Sequence, residues 1–122
     1  MCLIPRDGAE IQEATRHIVC YKVLNKFRNN KLRSVHYPID YELGETKTAP
    51  CFTDQLGRKI IKRKTAFEIN QGLHSYSTLS QAQWKQGSGQ VIVRCYIPKG
   101  TKYIKGIGNE YVSLALKITS YV

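Results

Sequence analysis

Apolar residues recur at every second position over much of the chain, and helical spacing is rare. His17-Ile18-Val19-Cys20-Tyr21-Lys22-Val23-Leu24 is rich in β-formers, with Val19, Tyr21 and Val23 on one face and Ile18, Cys20 and Leu24 on the other. A strand apolar on both faces predicts a central place in a sheet. After the polar turn 25–30, residues 32–37 return as a second strand. Residues 38–49 are less regular; Tyr41 and Leu43 alternate with polar residues, and Gly44 ends the run. Residues 50–58 read as a loop closed by Gly57, and 59–69 as a strand. Asn70-Gln71-Gly72 is turn chemistry, and residues 73–77 form a short strand. Residues 91–97 place Val91, Val93, Cys95 and Ile97 on one face, and Pro98-Lys99-Gly100 turns the chain. Residues 110–122 form the last strand, with Val112, Leu114, Leu116 and Ile118 at period two.

Thr78-Leu79-Ser80-Gln81 is a capping-box pattern, in which the Thr hydroxyl accepts the amide proton three residues on. It predicts a helix of two turns ending near Lys85, with Leu79, Ala82 and Trp84 as packing residues and Gly87-Ser88-Gly89 as the stop. A helical turn around residues 10–14 follows the Asp7-Gly8 turn signal. The expected fold is therefore α+β: a strand-dominated mixed or antiparallel sheet with one or two short helices, in a single domain over residues 1–122.

Composition narrows the class. With 122 residues, 42% hydrophobic and 23% charged, the chain suits one globular domain and is too apolar for wholesale disorder. No run approaches the ~18 apolar residues of a membrane helix, and Met1-Cys2-Leu3-Ile4-Pro5-Arg6-Asp7 lacks the apolar stretch of a signal peptide. The expectation is a cytoplasmic protein with no membrane partner. In that setting Cys2, Cys20, Cys51 and Cys95 read as dispersed, reduced thiols. No Cys-x-x-Cys occurs, and His17, His36 and His74 hold no zinc spacing to the cysteines, so no metal is expected. Cys2 behind Met1 also fits an N-terminal nucleophile.

Nineteen Lys and Arg against nine Asp and Glu give a net charge of +10, which favours anionic partners or serves solubility. The densest cluster is Arg58-Lys59-Ile60-Ile61-Lys62-Arg63-Lys64. It reads equally as a guarded edge strand and as a phosphate-binding stripe. A second segment holds Lys22, Lys26, Arg28, Lys31 and Arg33, and a third Lys99, Lys102 and Lys105. Tyr37, Tyr41, Tyr96 and Tyr103 are interspersed, so that aromatic faces could stack a base while the charges hold phosphate. The ligand-binding candidates are Lys22, Arg28, Arg33, Arg58, Lys62, Arg63, Tyr76 and Tyr103. Acids are scarce late in the chain: Glu110 is the sole carboxylate after Glu68, either a solvated strand end or a positioned group. His74 sits between a turn and a helix start, a junction that exposes backbone donors; structural and functional roles both fit it. In phase with a core row, Glu110 needs solvent or a partner at the sheet rim, and a cleft beside His74 would supply one.

Two resemblances meet at these residues. Met1-Cys2-Leu3, Val19-Cys20-Tyr21-Lys22-Val23, Gly72-Leu73-His74-Ser75-Tyr76-Ser77, Ile97-Pro98-Lys99-Gly100-Thr101-Lys102-Tyr103 and Glu110-Tyr111-Val112-Ser113 stand in an order similar to a family of small uncharacterised proteins of bacteriophages, prophages and gut bacteria. That resemblance covers most of the chain and implies a phage-type accessory protein, acting in the bacterial host cytoplasm against a host defence. More remotely, 72–76 before a capped helix and Asn109-Glu110-Tyr111-Val112 resemble the core of ADP-ribosyltransferases of the poly(ADP-ribose) polymerase type. That resemblance implies NAD as cofactor, Glu110 polarising a ribose hydroxyl and His74 orienting the nicotinamide side. The sequence departs from that core at Cys20-Tyr21-Lys22, where a His-Gly would stand, and at His74, which replaces a stacking Tyr. The leading expectation is a non-catalytic protein that binds an anionic nucleotide-like ligand or nucleic acid. The alternatives are an ADP-ribosyltransferase-like enzyme and a basic module for an acidic host protein or a second copy of itself.

Overall fold

The computed structural model describes residues 11–35, 39–53, 59–60, 72–106 and 109–122. In chain order the strands are β1 (Gln12–Glu13), β2 (Ile18–Lys26), β3 (Leu32–Ser34), β4 (Asp40–Tyr41), β5 (Thr46–Thr48), β6 (Phe52–Thr53), β7 (Lys59–Ile60), β8 (Leu73–Tyr76), β9 (Gln90–Ile97), β10 (Lys102–Lys105), β11 (Glu110–Ser113) and β12 (Ala115–Tyr121). The α-helix is α1 (Leu79–Lys85), and Arg28–Asn30 make a single 3-10 turn. Ten strands form one sheet in the order β1-β10-β11-β8-β2-β9-β12-β5, with β3 beside β2 and β4 beside β3; β6 and β7 pair separately. Every pairing among the described residues is antiparallel. The protein is mostly β, and the α+β expectation holds only loosely, through one short helix. No helix among the described residues is long and apolar enough to cross a membrane.

The sheet is rolled. Three strands lie between β11 and β12 in it, yet Leu114 alone joins them. In a flat sheet that span is four inter-strand spacings, roughly 19 Å, whereas two residue steps reach about 7 Å. The chain can make the connection only if β8, β2 and β9 curl around. Leu114 marks the bend: its N–H donates to the Lys102 carbonyl and its carbonyl accepts from Ala49. The roll gives the sheet an inner face, where Cys20, Leu24, Val93, Cys95, Ile97, Leu116 and Ile118 pack with Leu32, Tyr41 and Leu73. Each fully buried aliphatic side chain there contributes about 1.5–3 kcal/mol.

β2 forms as its composition predicts and is central, with β9 along one edge over eight register positions. Helix α1 covers the outer face, where Ala82 packs with Val23 and Ile92, and Tyr21, Tyr76, Val35 and Leu79 close around them. The Thr78 hydroxyl accepts the Gln81 N–H at 3.2 Å, as the capping pattern predicts.

Several expectations are corrected. Residues 110–122 are two strands rather than one, and their apolar row serves two clusters: Val112 with Phe52 and Ile104, Leu116 and Ile118 with the main core. The third basic segment includes β10, paired to β11 and β1. Gln12–Glu13 is a strand, where a helical turn is expected. Trp84 is 77% exposed. Seven residues give α1 one buried stripe through Leu79 and Ala82, and position 84 lies about 200° round from Ala82. Asp7-Gly8, Cys2, the loop end at Gly57 and most of the expected strand 59–69 with its turn lie outside the described residues, as do His36 and Tyr37.

Candidate functional site

The edge of β2 away from β9 is shared by two strands. β8 pairs with it at Tyr21, through Tyr76, and β3 pairs with it from Leu24 to Lys26. Between those pairings, at Lys22 and Val23, the sheet forks. A cavity of about 290 Å³ fills the fork. Ser34, Val35, Ile39 and Tyr41 line it from the β3–β4 side, and Gly72, His74, Ser75 and Tyr76 from the β8 side. Lys22 and Val23 form the floor, while Glu110, Lys85 and Gln90 complete the wall.

The cavity draws on both faces of the sheet: Ser75 and Lys22 lie on the Cys20 side, and His74 and Tyr76 alternate to the other. Val112 stands opposite His74 and Glu110 opposite Tyr76, so all four side chains share one face of the β8–β11 pair. Burial raises the Glu110 carboxyl above its ordinary value, an effect opposed by the Lys85 ammonium. Burial likewise raises the Tyr76 phenol, and the Glu110 charge adds to it. Asn109, at φ +55°, turns the chain into β11, and its carbonyl accepts the Ser77 N–H at 2.7 Å, which ties Glu110 to the end of β8.

Lys22 is the central surprise. It lies in phase with Cys20 and Leu24 on the core side and is 6% exposed. Its Nζ crosses the fork to donate to the main-chain carbonyl of His74 and stands 5.3 Å from the centre of the Tyr41 ring. Burial lowers its pKa to about 8, an effect the Cys95 and Cys20 sulfurs oppose. Burial holds the Tyr41 phenol well above its ordinary value. The two cysteines are not dispersed: Cys20 faces Cys95 directly across β2 and β9, with the sulfurs 3.4 Å apart. That is a thiol contact, longer than the ~2.05 Å of a disulfide. The hydrogen bond from Cys95 lowers Cys20, and the same bond raises Cys95, so Cys20 is the more acidic thiol. Cys51 is also a free thiol.

The cavity gathers Lys22, His74, Tyr76 and Glu110 from among the sequence candidates. It does not gather the rest. Arg33 donates to Asp40 at 2.8 Å, with Lys31 at 3.4 Å from the same carboxylate. The Arg33 bond lowers the Asp40 carboxyl and raises the guanidinium. Arg28 is exposed beyond the end of β2. Tyr103 lies on β10, its hydroxyl donating to Gln12 at 2.8 Å and its ring edge-on to Tyr111. Arg58, Lys62 and Arg63 lie outside the described residues. Sequence reasoning missed Ser75, Val35, Ile39, Lys85 and Gln90 as cavity residues. The signal available for Lys22 as a site residue is its phase: a lysine in the Cys20–Leu24 row.

Among the described residues no three His, Cys, Asp or Glu side chains gather as a metal site would require. No family model, curated protein or solved structure matches the chain, so the reading of this site rests on its own geometry and chemistry.

Proposed function

We propose that this is a phage-type accessory protein that binds an anionic, nucleotide-like small molecule in the sheet fork. The observation that carries the reading is the cavity itself. One concave site joins a buried ammonium, two tyrosines, a histidine and hydroxyl groups to an apolar wall, the composition of a small-molecule pocket. Its volume of about 290 Å³ is at the lower end of such sites, ~300–1,000 Å³, which suits one nucleoside-sized ligand better than a whole dinucleotide. The resemblance to phage and prophage proteins supplies the setting, withholding a nucleotide messenger from a host defence.

A second reading, ADP-ribosyl transfer from NAD, is favoured by one observation: Glu110 and His74 line the same cavity from adjacent strands. One experiment separates the readings. Protein purified gently from cells is analysed by native mass spectrometry, and NAD consumption is then followed for the wild type and Glu110→Gln. A retained nucleotide-like mass without NAD turnover is expected. Turnover that Glu110→Gln abolishes would replace the binding protein with an enzyme. Co-purifying nucleic acid and no small molecule would move the site to the basic surface.

A further inference from the structure

Lys22 is buried, yet no carboxylate pairs with it among the described residues. The His74 carbonyl takes one of its protons, and its other neighbours are the Tyr41 ring and the Cys20 and Cys95 sulfurs. An ammonium has three donors, so donor capacity is left over. Ser75, next along β8 from His74, is 2% exposed, and among the described residues its Oγ has no oxygen or nitrogen hydrogen-bond partner; its polar neighbour is the Cys20 thiol. Both residues line the cavity. A buried ammonium without a counter-charge and a buried hydroxyl whose only polar neighbour is a thiol are each unfavourable, and both gain from a single acceptor placed between them.

The charge of that acceptor follows by counting. Lys85 and Glu110 both line the cavity and carry opposite formal charges, which sum to zero. Lys22 is left as one uncompensated positive charge among the described cavity residues. At neutral pH it is protonated, because burial lowers it only to about 8. One negative charge neutralises the floor. A terminal phosphate, at about −1.5 to −2, would leave excess charge buried.

We propose that Lys22 Nζ and Ser75 Oγ form the seat for one singly charged oxyanion, a carboxylate or a phosphodiester, carried on an apolar or aromatic body that lies against Val35, Ile39 and Tyr76. This rests on the reading of the cavity as a ligand site and narrows its ligand class.

The test is calorimetric titration at pH 7 with four probes: 3′,5′-cyclic AMP, 5′-AMP, adenosine and benzoate. Wild type, Lys22→Met and Ser75→Ala are compared. Methionine fills the lysine's space without its charge, and Ser75→Ala keeps the lysine, so the floor is tested twice. Cyclic AMP is expected to bind about ten-fold or more tighter than adenosine or 5′-AMP, and to lose about ten-fold or more in Lys22→Met, the worth of a hydrogen bond to a charged group. Ser75→Ala is expected to weaken it less. Benzoate binding that depends on Lys22, with no nucleotide bound, upholds the seat, makes its ligand a carboxylate and removes the nucleotide reading. Adenosine binding as tightly as cyclic AMP, in wild type and Lys22→Met alike, overturns the seat and leaves the nucleotide reading standing. Tighter binding of 5′-AMP than of cyclic AMP overturns the single charge. Binding by none of the four overturns both.

Discussion

Lys22 carries an energetic consequence independent of any ligand. Its pKa falls from 10.5 to about 8 on folding because burial disfavours the ammonium. At roughly 1.4 kcal/mol per pKa unit, holding the charged form inside costs about 3 kcal/mol. Below pH 8 both folded and unfolded chains hold the proton, and that cost is present in full. Between about 8 and 10.5 the unfolded chain still binds the proton and the folded chain has released it, so stability rises with pH through that window. Replacing a buried unpaired ion by an apolar group of similar size is stabilising. Lys22→Met is therefore expected to exceed the wild type in unfolding free energy by about 3 kcal/mol at pH 7, by the same conversion, with the gap closing toward pH 10.5. Urea unfolding of both proteins across pH 6–10.5 measures it; a gap independent of pH, or a less stable variant at pH 7, would refute the buried-cation account.

At the scale of the element, the fork depends on how β8 begins. Gly72 has φ +139°, and a Cβ there would run into the Val112 side chain and come to 3.3 Å from the Phe52 ring. The backbone conformation and the close approach each exclude a larger residue. Gly72→Ala is expected to destabilise the protein by about 1–3 kcal/mol and to weaken cavity ligands, because β8 and Val112 must separate to admit the methyl group. A urea midpoint within error of the wild type would show that the strand start adapts. Helix α1 is the contrasting element. Its cap and length are local chemistry, but its outward face is not: Trp84 stands exposed with the Lys85 ammonium 4.9 Å from the ring centre.

For the whole molecule, the +10 charge raises the question of which surface meets an anion. The second basic segment is not a free stripe: Lys22 is buried, Lys31 and Arg33 are held by Asp40, and Lys26 lies over the Tyr121 ring at 5.1 Å. A small monoanion has no condensed counterion atmosphere to release, and a buried cation is weakly screened, so its affinity is expected to fall by no more than about two- to four-fold between 50 and 200 mM salt. A nucleic acid contacting 6–10 phosphates would lose about 10³–10⁵ over the same range. Titrating cyclic AMP and a mixed-sequence oligonucleotide in parallel distinguishes the two. A loss approaching a thousand-fold for the small ligand would transfer recognition from the fork to the basic surface.

The strand pattern, the central place of β2, the cap at Thr78 and the turn at Pro98–Gly100 were legible in the sequence, because each depends on period-two alternation or on side-chain chemistry within a few residues. The proximity expected of Glu110 to His74 follows once β8 and β11 pair. What tertiary structure alone decided is long-range. The bend at Leu114 follows from where β11 and β12 find partners, which alternation does not encode. The contact between Cys20 and Cys95 depends on a register spanning 75 residues. Lys22 looked like part of a basic segment because composition counts charge without regard to direction; only the rolled sheet and its fork turn that ammonium inward, where desolvation rather than net charge governs it.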